Sequence, residues 1–287
     1  MNNIIKILHV DAYSFQYQLK KDIYLYQLME LFSISKKRWN QYAFKNNKIE
    51  NIQSNTLLEK DSICCHTFKK DDYYAYSDKD IDIIYEDTIC IAVNKPAFLL
   101  VHSDGNEKDT LQNRVDAYLY EKGWPFSSQP IHRIDYETSG IILFCKYPFF
   151  QGLFDQQFLS HSIVKEYYCV VQGRIAWNTK TIDAPISRNR HKANCMIIHP
   201  KGKVSISHFT VLERNTNTLL KVKIDTGRKH QIRLHLSSIN HPIINDNLYG
   251  TVIDNRGLLL QNFHLKFKHP LDNQWIDLKL DMDPRFK

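Results

Sequence analysis

Three short segments of this chain carry side chains that could do chemistry. In the first, Pro130-Ile131-His132-Arg133-Ile134-Asp135-Tyr136-Glu137-Thr138-Ser139-Gly140, a carboxylate and a guanidinium sit on a turn. That turn leads into Ile141-Ile142-Leu143-Phe144-Cys145, a continuous apolar run of the kind expected for a strand buried on both faces. Packing fixes such a strand while the turn before it opens to solvent, so Asp135 and Arg133 would be held still at a surface. Read alone, Asp135 is also an ordinary turn or cap residue, because Asp bonds nearby backbone N–H groups. The second segment, residues 225–236, concentrates Arg228, Lys229, His230 and Arg233 over six positions. A helix is the preferred reading, with Ile232, Leu236 and Ile239 on one face, although a strand also fits. The basic start of such a helix suits phosphate, since free N–H groups and the dipole favour anions; read alone, the cluster is a solvated face. In the third, Lys165-Glu166-Tyr167 opens a strand that ends at Gly173. A tyrosine there is ordinarily core, but in a site its ring could stack on a base and its hydroxyl could move a proton.

Other chemistries fit these residues poorly. A metal-dependent hydrolase built on His132, Asp135, His230 and His235 lacks a His-Glu-x-x-His motif, and its second histidine pair is spaced by five, which aligns badly on a helix. Ser139 lies outside any Gly-x-Ser-x-Gly pattern. No Gly-x-Gly-x-x-Gly or Gly-Lys-Ser/Thr loop follows a strand, which argues against nucleotide-cofactor folds.

The positioning framework must come from 287 residues, enough for one large domain or a large and a small one. Hydrophobic residues at 43% and charged ones at 24% exclude wholesale disorder. A net charge of +7 with histidine neutral leans toward a polyanionic partner without naming one. None of the six cysteines forms Cys-x-x-Cys, and Cys145 and Cys169 sit in apolar runs, so reduced thiols are expected. The start, MNNIIKILHV, has neither a long apolar stretch nor a small-residue cleavage site, and no run reaches the ~18–20 apolar residues of a membrane span. These features predict a cytoplasmic protein that makes no membrane contact.

The polar, Tyr-rich stretch at 69–80 reads as a linker, which divides the chain into a small module (1–75) and a larger domain (76–287). In the module, residues 22–45 read as helical: Leu28, Leu31, Phe32 and Ser35 recur at threes and fours, and Ser33 or Ser35 would cap a second helix over 36–44. Short strands follow, with Asn46-Asn47 as a turn. Beyond residue 81, short apolar runs predict strands at 83–85, 89–93, 141–145 and 167–171. Residues 220–224 and 263–267 alternate, which predicts one buried face, and Asp272-Asn273 reads as a hairpin turn. Helices at 109–122 and 149–161 interrupt these strands without a βαβ rhythm. The expected class is α+β: a mixed, largely antiparallel sheet with a central cleft, plus a small α+β module.

Taken together, the segments resemble the RluA-type family of pseudouridine synthases. His-Arg-Ile-Asp-x-x-Thr-Ser-Gly (132–140), Lys-x-Tyr (165–167) and Thr-Gly-Arg-x-His-Gln-Ile-Arg (226–233) carry the resemblance. Val93-Asn94-Lys95-Pro96 with Val101-His102, His241-Pro242 with Asp246 and Tyr249-Gly250, and His269-Pro270 add to it. The N-terminal pattern of helix, Ile-Ser-Lys-Lys-Arg, helix and short strand resembles an S4-like RNA-binding module. The resemblance implies an RNA uridine-to-pseudouridine isomerase with Asp135 as catalytic carboxylate, Tyr167 as active-site tyrosine and Arg233 as partner of the aspartate. Arg133 would enter the space left by a flipped uridine. Arg228, Lys229 and His230, with Lys36, Lys37 and Arg38 of the module, would bind RNA phosphates. No cofactor or metal is implied, since the reaction is redox-neutral; a monomer acting on ribosomal RNA, with tRNA as the alternative, is expected. An RNA-binding protein of the same fold without catalysis is the nearest rival, and intact Asp135, Tyr167 and Arg233 argue against it. The chain departs from the family pattern at Phe98 and Asn245, both at positions where glycine is usual, at Ser103, where proline is common, and at Gln261-Asn262-Phe263.

Overall fold

The computed structural model describes residues 1, 3–49, 52–68, 77–105, 109–124 and 126–287. Most of the expected linker at 69–80, and with it the division at residue 75, lies outside the described residues.

The N-terminal part opens with a hairpin, β1 (Ile5–Val10) and β2 (Ser14–Leu19), ahead of the stretch for which helices were expected. Phe15, Tyr17 and Leu19 alternate along β2 and are buried, the period-two signature of a half-buried strand. Then come β3 (Ile23–Tyr24), α1 (Leu25–Leu31), α2 (Lys36–Trp39), β4 (Ala43–Asn46), β5 (Leu57–Leu58) and β6 (Ile63–Thr67). Ser35 caps α2, its hydroxyl accepting from the Arg38 N–H at 3.2 Å. The second helix is much shorter than 36–44. Residues 43–46 instead pair with β6, because sheet hydrogen bonds there outweigh one more helical turn. Trp39, at the helix end, is buried edge-on against the His66 ring. The four-stranded sheet runs β1-β2-β6-β4. Asn46 and Asn47 make the expected turn: Asn46 Oδ1 accepts from Lys48 N and Asn47 Oδ1 from Ile63 N.

The remaining elements are β7 (Asp82–Glu86), β8 (Cys90–Lys95), α3 (Leu111–Glu121), β9 (Gln129–Pro130), β10 (Ser139–Cys145), α4 (Gln151–Leu159), β11 (Val164–Val171), β12 (Thr179–Asp183), β13 (Ile186–Arg188), β14 (Met196–Ile198), β15 (Ile206–Arg214), β16 (Thr218–Ile224), α5 (Gln231–Ser237), β17 (Leu260–Lys268) and β18 (Trp275–Lys279). They build one sheet in the order β12-β15-β16-β11-β17-β10-β8-β7, with β18 on β17 and β9 on β10. Every pairing is antiparallel except β10 with β17. The α+β class and the largely antiparallel sheet are as expected.

Two burial patterns differ from the sequence reading. β11 alternates between buried and half-buried positions rather than hiding both faces, whereas β17 is buried on both faces through residues 260–265. The cause is cover: Leu260 of β17 joins the cluster that carries α5, and Leu265 and Phe267 join the one that carries α4. At the parallel crossing Gly140 takes φ +121°, and a Cβ there would run into the backbone of Asn262. Only glycine lets β10 and β17 approach this closely, and that crossing fixes the turn carrying Asp135, five residues upstream.

Three apolar clusters support the sheet. One joins the N-terminal part to the larger sheet: Phe15, Phe32 and His66 pack on Phe149, with Phe150 against Phe15. Gly152 of α4 lies against the Ser33 backbone so closely that a Cβ would not fit. The second packs α5 onto β11 and β16, and the third packs α3 onto β8 and β10; Ile134 touches both.

Candidate active site

Asp135, Arg233, Glu137 and Asp246 meet at the ends of β10 and α5. The Arg233 side chain is 2% exposed. Its Nε donates to Asp246 Oδ2 and its Nη2 to Asp246 Oδ1, both at 2.8 Å, a bidentate fork. Its Nη1 donates to Asp135 Oδ2 at 3.3 Å. Glu137 Oε2 lies 3.2 Å from Nη2. One guanidinium thus serves three carboxylates. Burial opposes its charge, but Asp246, Asp135 and Glu137 outweigh burial and hold it firmly protonated. Asp246 is fully buried; burial pushes its carboxyl up, yet Arg233 and the N–H groups of Leu248 and Tyr249 hold it below the usual range. Glu137 goes the other way: burial pushes its carboxyl up, and Arg233 only partly compensates. Arg233 therefore has its planar fork clamped by Asp246 and presents its remaining nitrogen to Asp135, the most exposed of the three acids.

His230 is the left-handed residue (φ +57°) that starts α5. Its Nε2 lies 3.9 Å from Asp135 Oδ1, and its Nδ1 hydrogen-bonds the Tyr249 hydroxyl at 2.9 Å. Burial lowers its pKa, with Asp135 opposing, so the ring is neutral at ordinary pH. Tyr167, on β11, is buried; burial and then the charge of Asp135 push its phenol well up. Its hydroxyl has no hydrogen-bond partner among the described residues.

Lys95 closes β8 and is wholly buried. Its Nζ donates to the carbonyls of Pro96 (2.8 Å), Leu99 (2.7 Å) and Tyr136 (3.1 Å), tying the loop after β8 to the turn that carries Asp135. Burial takes its ammonium down to about 7, with Asp135 opposing.

The sequence-predicted residues thus divide. Asp135, Arg233, His230 and Tyr167 come together. Arg133 stays exposed beside them, its Nη1 3.2 Å from His102 Nε2. Arg228 donates to the Val204 carbonyl at 3.0 Å and Lys229 is exposed. Arg228 and Lys229 precede α5, His230 is its N-cap, and Arg233 lies within its seven residues. Lys36, Lys37 and Arg38 lie on α2, whose Trp39 belongs to the N-terminal aromatic cluster. His132 is half-buried and engaged: it stacks on Phe158, its Nε2 accepts from the Leu143 N–H at 3.3 Å, and burial followed by the charge of Lys165 takes it to about 3. Both nitrogens of His235 are engaged, by Ser207 and by the Ala184 carbonyl. Among the described residues no three His, Cys, Asp or Glu converge to hold a metal, and no helix is long and apolar enough to cross a membrane. The six cysteines are all free.

The sequence reading singled out neither Glu137 nor Tyr249 as site residues, nor the hairpin of β13 and β14. That hairpin reaches the site through Met196 N, which donates to the Tyr249 hydroxyl at 2.7 Å, and through Lys192 Nζ, which donates to the Leu248 carbonyl at 3.2 Å. Arg188, Arg190, His191 and Lys192 are exposed along it. Their run, Ser-Arg-Asn-Arg-His-Lys, was the available signal.

Residues 89–238, which include Asp135, Tyr167 and Arg233, match the family model described as RNA pseudouridylate synthase. The chain belongs to this family. Within it the chain is of the RluA type. It is 32% identical to the uncharacterized RNA pseudouridine synthase YhcT of Bacillus subtilis (strain 168) over 204 residues, 69% of this chain and 67% of that one. It is 30% identical to the ribosomal large subunit pseudouridine synthase D of Escherichia coli (strain K12) over 223 residues, 75% of this chain and 67% of that one. Among solved structures, human RNA pseudouridylate synthase domain containing 1 superposes with a TM-score of 0.62 at 24% identity, covering 73% of this chain and 86% of that one, a likeness of fold. The activity is that of the family, isomerisation of uridine to pseudouridine in RNA.

Proposed function

We propose that the chain converts specific uridines of large-subunit ribosomal RNA to pseudouridine, with Asp135 as the catalytic carboxylate, Arg233 holding it and Tyr167 facing the nucleoside. The observation that carries this reading is the 3.3 Å contact from Arg233 Nη1 to Asp135 Oδ2, made by a guanidinium whose other edge is locked on Asp246. The reaction breaks the bond from uracil N1 to ribose C1′, turns the base and forms a bond from C5 to C1′; the C5 proton leaves and N1 gains one, so atoms balance without a redox partner. Asp135 supplies an anion for the positive charge that develops on the sugar, or for attack at C1′. Arg233 Nη1 and His230 Nε2 flank its two oxygens at 3.3 and 3.9 Å and keep it in place. The Tyr167 ring offers an apolar wall for the extruded base. Extrusion costs about a few kcal/mol, and Arg133, two residues from Asp135 and exposed, is placed to fill the vacated stack.

Ribosomal RNA is favoured because relatives at 30–35% identity bear the name ribosomal large subunit pseudouridine synthase D. Residues 1–75 act in this reading as an S4-like RNA-binding module, with exposed Lys36 and Lys37 and half-exposed Arg38 on α2. Lys229 and the basic β13–β14 hairpin add phosphate contacts, which make affinity fall with salt. The test is pseudouridine mapping across all cellular RNA in a deletion strain complemented with wild type or Asp135→Asn. Specific large-subunit sites should vanish on deletion and return only with wild type. Return with the Asn variant would remove Asp135 from the chemistry, and loss confined to tRNA sites would replace the substrate.

A further inference from the structure

Phe98 stands where the resemblance leads one to expect glycine, and its backbone shows why glycine is usual: φ is +62°, a region that bulky side chains avoid. Strain of this kind persists where something compensates it. Packing does so only in part, since Phe98 remains 49% exposed. The tip of its ring lies against Gly257, where a Cβ would collide with Cζ and Cε2. On the other side it meets the Tyr136 ring edge-on, with centroids 5.9 Å apart and planes at 72°. Tyr136 is also 49% exposed and directly follows Asp135.

The two rings are held by buried polar groups. The Lys95 ammonium bonds the carbonyls of Pro96 and Leu99, which flank Phe98, and that of Tyr136. Asn245, the other residue in place of an expected glycine, also has positive φ (+62°). Its amide donates to the Gly257 carbonyl (3.0 Å) and to Asp254 (2.7 Å), and its Oδ1 accepts from the N–H groups of Ile253 and Asp254. The two departures from the family pattern are thus joined: Asn245 fixes the loop whose Gly257 receives the Phe98 ring. An exposed, rigid aromatic pair one residue from the reacting carboxylate, beside the exposed guanidinium of Arg133 on a chain of net charge +7, matches an unpaired base on a polyanion.

We propose that Phe98 and Tyr136 form a stacking shelf for a base adjacent to the extruded uridine, and that Phe98 thereby selects the RNA this enzyme binds. This rests on the RNA reading above. The test measures kcat and KM for pseudouridine formation on unmodified transcripts of large-subunit ribosomal RNA and of tRNA, with wild type, Phe98→Gly and Phe98→Tyr, and Asp135→Asn as the inactive control. Phe98→Gly restores the residue that the backbone prefers, so it should melt at or above the wild-type temperature while KM rises about tenfold with kcat within twofold, the size expected for losing one base–aromatic stack. Phe98→Tyr should restore KM. An unchanged KM in Phe98→Gly, or no recovery in Phe98→Tyr, overturns the shelf while leaving the isomerase reading intact. A wild-type enzyme that modifies neither transcript, or an Asp135→Asn variant that is active, overturns the reading beneath it.

Discussion

Replacing Asp246 by Asn tests whether the arginine is aimed by its hidden partner. The substitution keeps shape but removes the charge under two 2.8 Å hydrogen bonds, and it sets an N–H group against one of the guanidinium nitrogens. Breaking a buried pair by removing one partner costs about 3–5 kcal/mol. Here the loss should lie near the lower end, about 3 kcal/mol, because Asp135 and Glu137 still face the same cation. At about 2–4 °C per kcal/mol for a chain of this size, the melting temperature should fall by about 6–12 °C. Activity should suffer independently of unfolding. A guanidinium freed from Asp246 will settle between the two remaining acids, and a displacement of ~1 Å at a reacting group can cost about 100-fold in rate. Calorimetry gives the first quantity. Single-turnover release of tritium from RNA labelled at uracil C5, run well below the variant's melting point, gives the second. A variant that melts within 2 °C of wild type and reacts at the wild-type rate would show that Asp246 does not aim Arg233, and the orientation argument would fall.

Glu137 predicts a dependence on pH. Its folded pKa is raised, chiefly by burial, so its favourable contribution is full below the ordinary carboxylate value near 4.5 and is lost as pH rises through the folded pKa. Glu137→Gln should therefore gain stability relative to wild type as pH is taken upward from 4.5 in a thermal-melt series, and a constant difference across that series would refute the assignment. Tyr167 carries a phenol pushed up by burial and by Asp135, with no hydrogen-bond partner among the described residues. Tyr167→Phe removes no hydrogen bond within the protein, so at ~0.5 kcal/mol or less it should leave the melting temperature within about 2 °C, and the wild-type rate should show no limb from this group below pH 10; such a limb, absent in the variant, would contradict the environment described.

The chemistry-bearing residues were legible where they are close in sequence to a structural landmark. Asp135 was readable because Gly140 and a fully apolar strand follow it, and Arg233 because Ile232 and Leu236 mark a helix face. Arg133 and Lys229 stay exposed, as polar turn residues should. Partners brought in from a distance could not be read from spacing. Asp246 was visible as a motif position, but nothing in its neighbours says that it is wholly buried against a guanidinium thirteen residues away. Lys95 likewise looks like a surface lysine until three carbonyls are found around its ammonium. Arg228 and His132 take partners that their own runs do not announce: the Val204 carbonyl accepts from one and the Phe158 ring stacks on the other. In the fold, 43–46 read as helix because local propensity is weak against a waiting strand edge, and β17 read as half-exposed because the clusters that cover its two faces come from distant parts of the chain.

The aromatic seam around Phe149, together with the contact of Gly152 on Ser33, has a mechanical outcome. With Phe15, Phe32 and His66 locked into the same cluster as the foot of α4, the amino-terminal sheet is a rigid outrigger rather than a tethered arm. Any nucleic acid gripped at α2 and at Asp135 together would have to present those two points at one set separation.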